Sequence, residues 1–135
     1  MKISRLMATC IVSAFVSFAT FSAASAQTHG ASAAGIWESG DTNYVSVGTG
    51  GGRSAAEAQN RAINSCQRNG GRNCRVVGNW SYGGCGYITV STLANRGAVG
   101  WGNGPTKQAA YDSCYAQNNI RQCDINAIGF CSDRQ

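Results

Sequence analysis

"VGTGGGRSAAEAQ" (Val47–Gln59) sets a run of glycines before Arg-Ser and then an alanine-rich stretch. It reads either as a phosphate-cradling loop at a helix N-terminus or as a turn that feeds a helix. A Walker-type loop requires Gly, four residues, then Gly-Lys-Ser/Thr, so that backbone amides and a lysine ammonium surround the phosphates. Counting back from Gly52-Arg53-Ser54 puts Val47 where the first glycine belongs, and Arg53 stands in for the lysine. What remains is a helix start. Ser54 as N-cap with Glu57 three residues on forms a capping box. The stretch is architecture: a glycine-rich turn ahead of a helix near Ala55–Arg68.

The same elements return downstream. "GGGRSAAEAQNRAINSCQRNGGRNCRVVGNW", followed by a further Cys, is echoed by "GNGPTKQAAYDSCYAQNNIRQCDINAIGFC". Each segment has a glycine-rich turn, a Ser or Thr, a helix ending in Cys, a polar turn, a second Cys opening a strand, and a third Cys. This reads as an internal duplication, two imperfect repeats over about residues 36–85 and 86–131. Ser54 lies twelve positions before Cys66 and Thr106 eight before Cys114. Losing four residues removes about one helical turn and keeps the same face buried.

The first 26 residues stand apart. Lys2 and Arg5 precede the apolar run "LMATCIVSAFVSFATFSAA", and "ASAQ" follows it. That is the plan of a signal peptide (residues 1–26) cleaved after Ala26, which leaves a single domain over residues 27–135. The Ser, Thr and Ala content and the missing basic stop-transfer flank argue against a membrane anchor. The expected location is secreted or periplasmic, with no membrane insertion after the leader is removed. The whole chain carries +5; without the leader, nine Lys and Arg face six Asp and Glu, a net +3. These cations are scattered, and only Arg68, Arg72 and Arg75 lie close together. A nucleic-acid binder shows a denser basic stripe threaded with aromatics, so that partner is set aside.

Cys10 leaves with the leader, and six cysteines remain: Cys66, Cys74, Cys85, Cys114, Cys123 and Cys131. An even number in a small exported domain reads as a disulfide framework. Zinc needs tighter pairs with histidines near them. The lone histidine, His29, is expected in a loose N-terminal tail, so neither metal nor cofactor is expected. In each repeat a polar turn brings the cysteine ending the helix to the one opening the next strand. The expected pairs are Cys66–Cys74 and Cys114–Cys123, with Cys85–Cys131 by elimination, although six cysteines allow fifteen pairings and spacing alone proves none.

The expected fold is α+β: an antiparallel sheet with two helices, built from the two repeats and stapled by disulfides. "NYVSVGT", "CRVVGNW", "GYITVST", "GAVGW" and "CDINAIGF" are short, rich in β-branched and aromatic residues, and bounded by Gly and Asn, as strands are. The helices fall near Ala55–Arg68 and Lys107–Gln117. Ala58, Ala62 and Cys66, and likewise Ala110 and Cys114, make a small-residue stripe on each helix. Strict alternation puts Cys74, Val76 and Trp80 on one strand face, and Cys123, Ile125 and Ala127 on its counterpart. Ile128 and Phe130 then face the other way and need a cover of their own.

"AEAQNRAINSC", "GGRNCRVVGNW", "CGYITVS" and "QAAYDSC" together resemble domain-of-unknown-function family 4189, over roughly Ala55 to Cys131. The segment "GIWESGDTNYVSV" departs from the small-residue strand usual there. The resemblance implies a small exported bacterial protein acting at the cell envelope or in host interaction, and it carries no catalytic residues to transfer.

Catalysis finds little support in the residues. Glu57 is used by the capping box, and Asp112 lies on an exposed helix face. Glu38 and Asp41 could form a glycosidase-like pair, but a Ser-Gly-Asp-Thr-Asn loop leaves them solvated. His29 lies outside the repeats, and oxidised cysteines supply no thiolate. The expectation is a non-catalytic binding module that recognises another protein, of inhibitor, immunity or host-interaction type. The alternative is a module for cell-wall glycan or peptidoglycan, and a small hydrolase ranks last. Features that differ between the repeats are the better functional candidates. Ten residues separate Cys74 from Cys85, but seven separate Cys123 from Cys131, and the extra length lies near "NWSYGGC". Tyr82 on that tip, flanked by Arg72 and Arg75, has the composition of a protein interface. Trp80 is a further candidate, although a core role suits it better.

Ser54→Ala should cost about 0.5–2 kcal/mol of stability through loss of the helix cap. ATP, GTP and phosphate should leave the melting temperature unchanged. A saturable shift abolished by Arg53→Ala would show a phosphate site after all.

Overall fold

A computed structural model describes residues 26–40, 42–91, 101–118 and 123–134. Residues 1–25 of the expected leader, Asp41 and Gly97–Gly100 of the expected fourth strand lie outside the described residues. The elements run β1 (His29–Ser39), β2 (Thr42–Gly52), α1 (Ala55–Arg68), β3 (Arg75–Ser81), β4 (Cys85–Val90), β5 (Trp101–Gly104), α2 (Lys107–Asn118) and β6 (Ile128–Cys131). The fold is α+β. Among the described residues, the strands divide into two three-stranded antiparallel sheets, ordered β2-β1-β3 and β5-β4-β6.

The glycines of the opening stretch are strand, not turn. β2 runs through Gly48, Gly50 and Gly52 before the chain bends at Arg53-Ser54. Helix α1 lies directly on them. A Cβ at Gly48 would sit 2.3 Å from the Cys66 backbone nitrogen, and one at Gly50 2.4 Å from that of Ala62. Below the helix lie Ala31 and Ala33 of β1, and Ala58, Ala62 and Cys66 face them from above, all fully buried. The second half is built alike. A Cβ at Gly102 would lie 2.0 Å from the Cys114 nitrogen, and one at Gly104 3.0 Å from that of Ala110. The small-residue stripes read from the sequence are the sides of two close helix–strand seams.

Each helix starts as its sequence indicates. Ser54 Oγ accepts the Glu57 backbone N–H at 3.2 Å, and Thr106 Oγ1 accepts that of Ala109 at 3.0 Å. The Glu57 carboxylate turns back to the Arg53 N–H at 3.1 Å and pairs with Arg61 at 2.6 Å. α1 ends in a Schellman motif: Gly71 N–H donates to the Cys66 carbonyl and Gly70 N–H, at φ 90°, to that of Gln67. This tight ending brings Cys74 back to Cys66. The three disulfides are Cys66–Cys74, Cys114–Cys123 and Cys85–Cys131.

His29 is no part of a loose tail. It opens β1, opposite Gly52 on one side and Ser81 on the other. The first β-β-α-β unit therefore starts upstream of residue 36. The segments before β1 and after β6 are also tied together: Gln27 N–H donates to Asp133 Oδ2, and Asp133 N–H to the Gln27 carbonyl, each at 2.8 Å.

A bulge overturns the alternation expected for the third strand. Ala33 pairs with Val76 but Ser32 with Gly78, which leaves Val77 as an extra residue. An added residue flips everything beyond it to the opposite face. Val76 packs against the α1 core, whereas Trp80 points to the other sheet. The carbonyl of Val77 is taken by Asn103 Nδ2 of β5 at 2.8 Å, so the bulge also ties the sheets together. Ile125 is likewise not inward. The Asp124 carboxylate accepts the Asn126 N–H in a local turn, which leaves Ile125 73% exposed, and β6 begins only at Ile128. Phe130 finds its cover in the first sheet, edge-on to Trp80 at 5.1 Å.

Gly48→Ala and Gly102→Ala should each destabilise the fold by about 1–3 kcal/mol or more, because the clash is with helix backbone that cannot rotate away. Gly40→Ala meets no neighbour but takes a φ of 62°, so it should cost only the left-handed strain of about 1 kcal/mol and be the mildest of the three. Equal melting temperatures for all three would refute the seam.

Candidate functional site

Trp37 and Tyr44 stand directly opposite each other on β1 and β2. Their rings stack with centroids 4.3 Å apart and planes 16° from parallel. The turn after α1 then delivers Arg72, whose guanidinium carbon lies 5.1 Å from the Trp37 ring centroid. Such a cation–π contact favours Trp above other rings and holds the arginine in one place. Tyr44 stays 39% exposed. On the other face of the sheet, Arg75, Ile36, Val77 and Trp101 line a hollow of about 340 Å³. One end of the first sheet thus gathers aromatic, aliphatic and arginine side chains at the surface.

Tyr82 lies at the opposite end of β3. The turn Ser81–Gly84 closes with Gly84 N–H on the Ser81 carbonyl at 2.9 Å, and Tyr82 and Gly83 have φ of 47° and 84°. Two positive φ angles mark the type I′ turn. A tyrosine there is strained, since its Cβ crowds the following carbonyl oxygen. The surroundings hold it: its N–H donates to the Thr28 carbonyl at 2.8 Å, and its ring meets His29 edge-on at 5.0 Å. Tyr82 is 53% exposed.

The four residues singled out from sequence thus fall into two pairs. Arg72 joins the Trp37 stack and Arg75 lies at the same end on the opposite face of the sheet, while Trp80 and Tyr82 sit roughly 20 Å away at the far end of the strand, at about 3.3 Å per residue. Arg72 does not flank Tyr82. Trp80 is wedged between the sheets: a Cβ at Gly30 or at Gly86 would land 2.1 or 2.0 Å from its indole.

The described carboxylates all serve local structure. Glu57 caps and pairs, Asp112 accepts from Gln108, Asp124 from the Asn126 backbone, and Asp133 from Gln27. The Glu38–Asp41 pair lies outside the described side chains. Among the described residues no three His, Cys, Asp or Glu gather as a metal site would require.

The profile of DUF4189, a domain of unknown function, matches residues 29–131. The chain belongs to this family. The match begins at the first residue of β1 and ends at the last residue of β6, so the family unit is the two-sheet fold itself. No curated protein and no solved structure matches the chain.

Sequence reasoning passed over Trp37 and Tyr44. The signal was there: "WESGDTNY" places two aromatics at mirror positions around Gly40-Asp41, a hairpin pattern. Trp80→Ala should lower stability by about 3–5 kcal/mol in chemical denaturation, and Tyr82→Ala should stay within about 0.5 kcal/mol of the parent. Reversed magnitudes would make Tyr82 the structural residue and Trp80 the surface one.

Proposed function

We propose that this protein is an exported, non-catalytic interaction module, acting at the bacterial envelope or outside the cell and recognising another protein. The observation that carries the reading is the Tyr44–Trp37–Arg72 stack. Trp, Tyr and Arg supply most of the binding energy at protein interfaces. Side chains already locked against each other lose little entropy when a partner arrives. Cationic guanidinium groups at this end favour a partner patch that is acidic or rich in carbonyl oxygens.

Export draws its support from the leader-like N-terminus and from the three disulfides, which persist in oxidising compartments. No helix among the described residues is long and apolar enough to cross a membrane. The duplication is supported by the common strand order of the two sheets and by their like seams. The absence of catalysis is supported by the structural employment of the described carboxylates. A second reading, a cell-wall glycan or peptidoglycan, draws on the same stack, because flat aromatic faces also take sugar rings.

Immobilised protein incubated with envelope extract should retain a specific protein, identified by mass spectrometry. Trp37→Ala and Arg72→Ala should each weaken that capture at least tenfold, about 1.4 kcal/mol, while Tyr82→Ala should not. Retention on purified peptidoglycan with no captured protein would favour the glycan. Loss of capture with Tyr82→Ala alone would move the interface to the other end of the strand.

A further inference from the structure

We propose that the cleft between the two sheets is a second binding site, which takes an uncharged acetamido group such as an N-acetylated amino sugar carries. The cleft, of about 250 Å³, opens between the β3 edge of the first sheet and β4–β5 of the second, and its walls include Ser32, Gly78, Trp80, Gly86, Asn103 and Pro105. Ser32 is only 1% exposed, and its hydroxyl has no hydrogen-bond partner among the described residues. The indole N–H of Trp80 is buried without one as well, but it lies beside Gly30, which is not part of the cleft wall. The Ser32 hydroxyl on the cleft wall is the unusual one, because a buried polar group left unpaired loses its water and gains nothing in return.

Gly78 keeps the polar corner open. A Cβ there would lie 2.6 Å from Ser32 Oγ and 2.9 Å from Asn103 Nδ2. Asn103 is fixed by its bond to the Val77 carbonyl, so the bulge that reverses β3 also sets this corner.

The lining selects the ligand. Ser32 offers an O–H donor, which calls for an acceptor such as a carbonyl oxygen. Among the described residues no charged side chain lines the cleft, so a carboxylate or phosphate would be buried there without a counter-charge. The indole and the Pro105 ring supply an apolar wall suited to a methyl group. A neutral carbonyl beside a methyl is an acetamido group, and the volume suits a fragment rather than a long chain. This site is separate from the Trp37 stack, and either can fail alone.

The indole N–H signals of the three tryptophans in ¹H–¹⁵N spectra provide the readout, with N-acetylglucosamine as the first probe. The Trp80 signal should move saturably with a Kd on the order of 1 mM, while the Trp37 signal stays in place. Glucose and acetate, lacking the neutral amide, should leave Trp80 unmoved. N-acetylglycinamide separates the sources: a response to both amides assigns recognition to the group alone, and a response to the sugar only adds the ring. Ser32→Ala should weaken the response at least tenfold without lowering the melting temperature. Gly78→Ala, which fills the corner, should do the same should Ser32→Ala fail to fold. No saturable shift with either amide, or a shift of equal affinity in both variants, would overturn the proposal and leave the cleft as solvated space.

Discussion

Two helices lying directly on glycines of the strands, with only small side chains between, are the constraint from which the rest of this structure follows. At Gly48, Gly50, Gly102 and Gly104 the helix backbone occupies the place a Cβ would take. Only small residues can then face the sheet from the helix, hence Ala58, Ala62, Cys66, Ala110 and Cys114. A seam of alanine and glycine buries little apolar surface per residue, and hydrophobic stabilisation scales with that area. Two of the three disulfides fasten the end of a helix to the chain that follows it, where this thin core needs support.

Large side chains have been moved elsewhere. Between the sheets, Trp80 and Phe130 fill a space cleared by Gly30 and Gly86. At the surface, Trp37 and Tyr44 stack beyond the end of α1, where Arg72 joins them. The Schellman turn at Gly70-Gly71 links these places: it ends α1, returns the chain to the Cys66–Cys74 bridge, and leaves Arg72 over the ring. The surface with interface character is a by-product of how the helix is closed.

Much of this was legible residue by residue. Ser54 and Thr106 marked both helix starts through their capping chemistry, and Cys positions relative to those helices indicated which pairs a short turn could join. The strands were harder. Glycine-rich β2 reads as a turn because glycine favours turns, and only the helix lying on it explains why glycine is required in an extended strand. His29 and the small residues after it read as a tail, since Gly-Ala-Ser-Ala-Ala has little strand propensity by itself; pairing on both sides makes it the central strand.

By itself the sequence determined the α+β class, the two capped helices, their small-residue faces and the cysteine framework, because each rests on local spacing or on residue type. The tertiary structure alone decided the division into two sheets, the bulge at Val77, and which side chains share a surface. One inserted residue reverses a strand's faces without leaving a pattern in the sequence, and so Trp80 turned inward, away from Val76. Distance along a strand separates what proximity in the chain unites. Arg72 and Tyr82 are ten positions apart, yet an extended strand carries them to opposite ends of the fold, and the turn after α1 brings Arg72 to Trp37 instead.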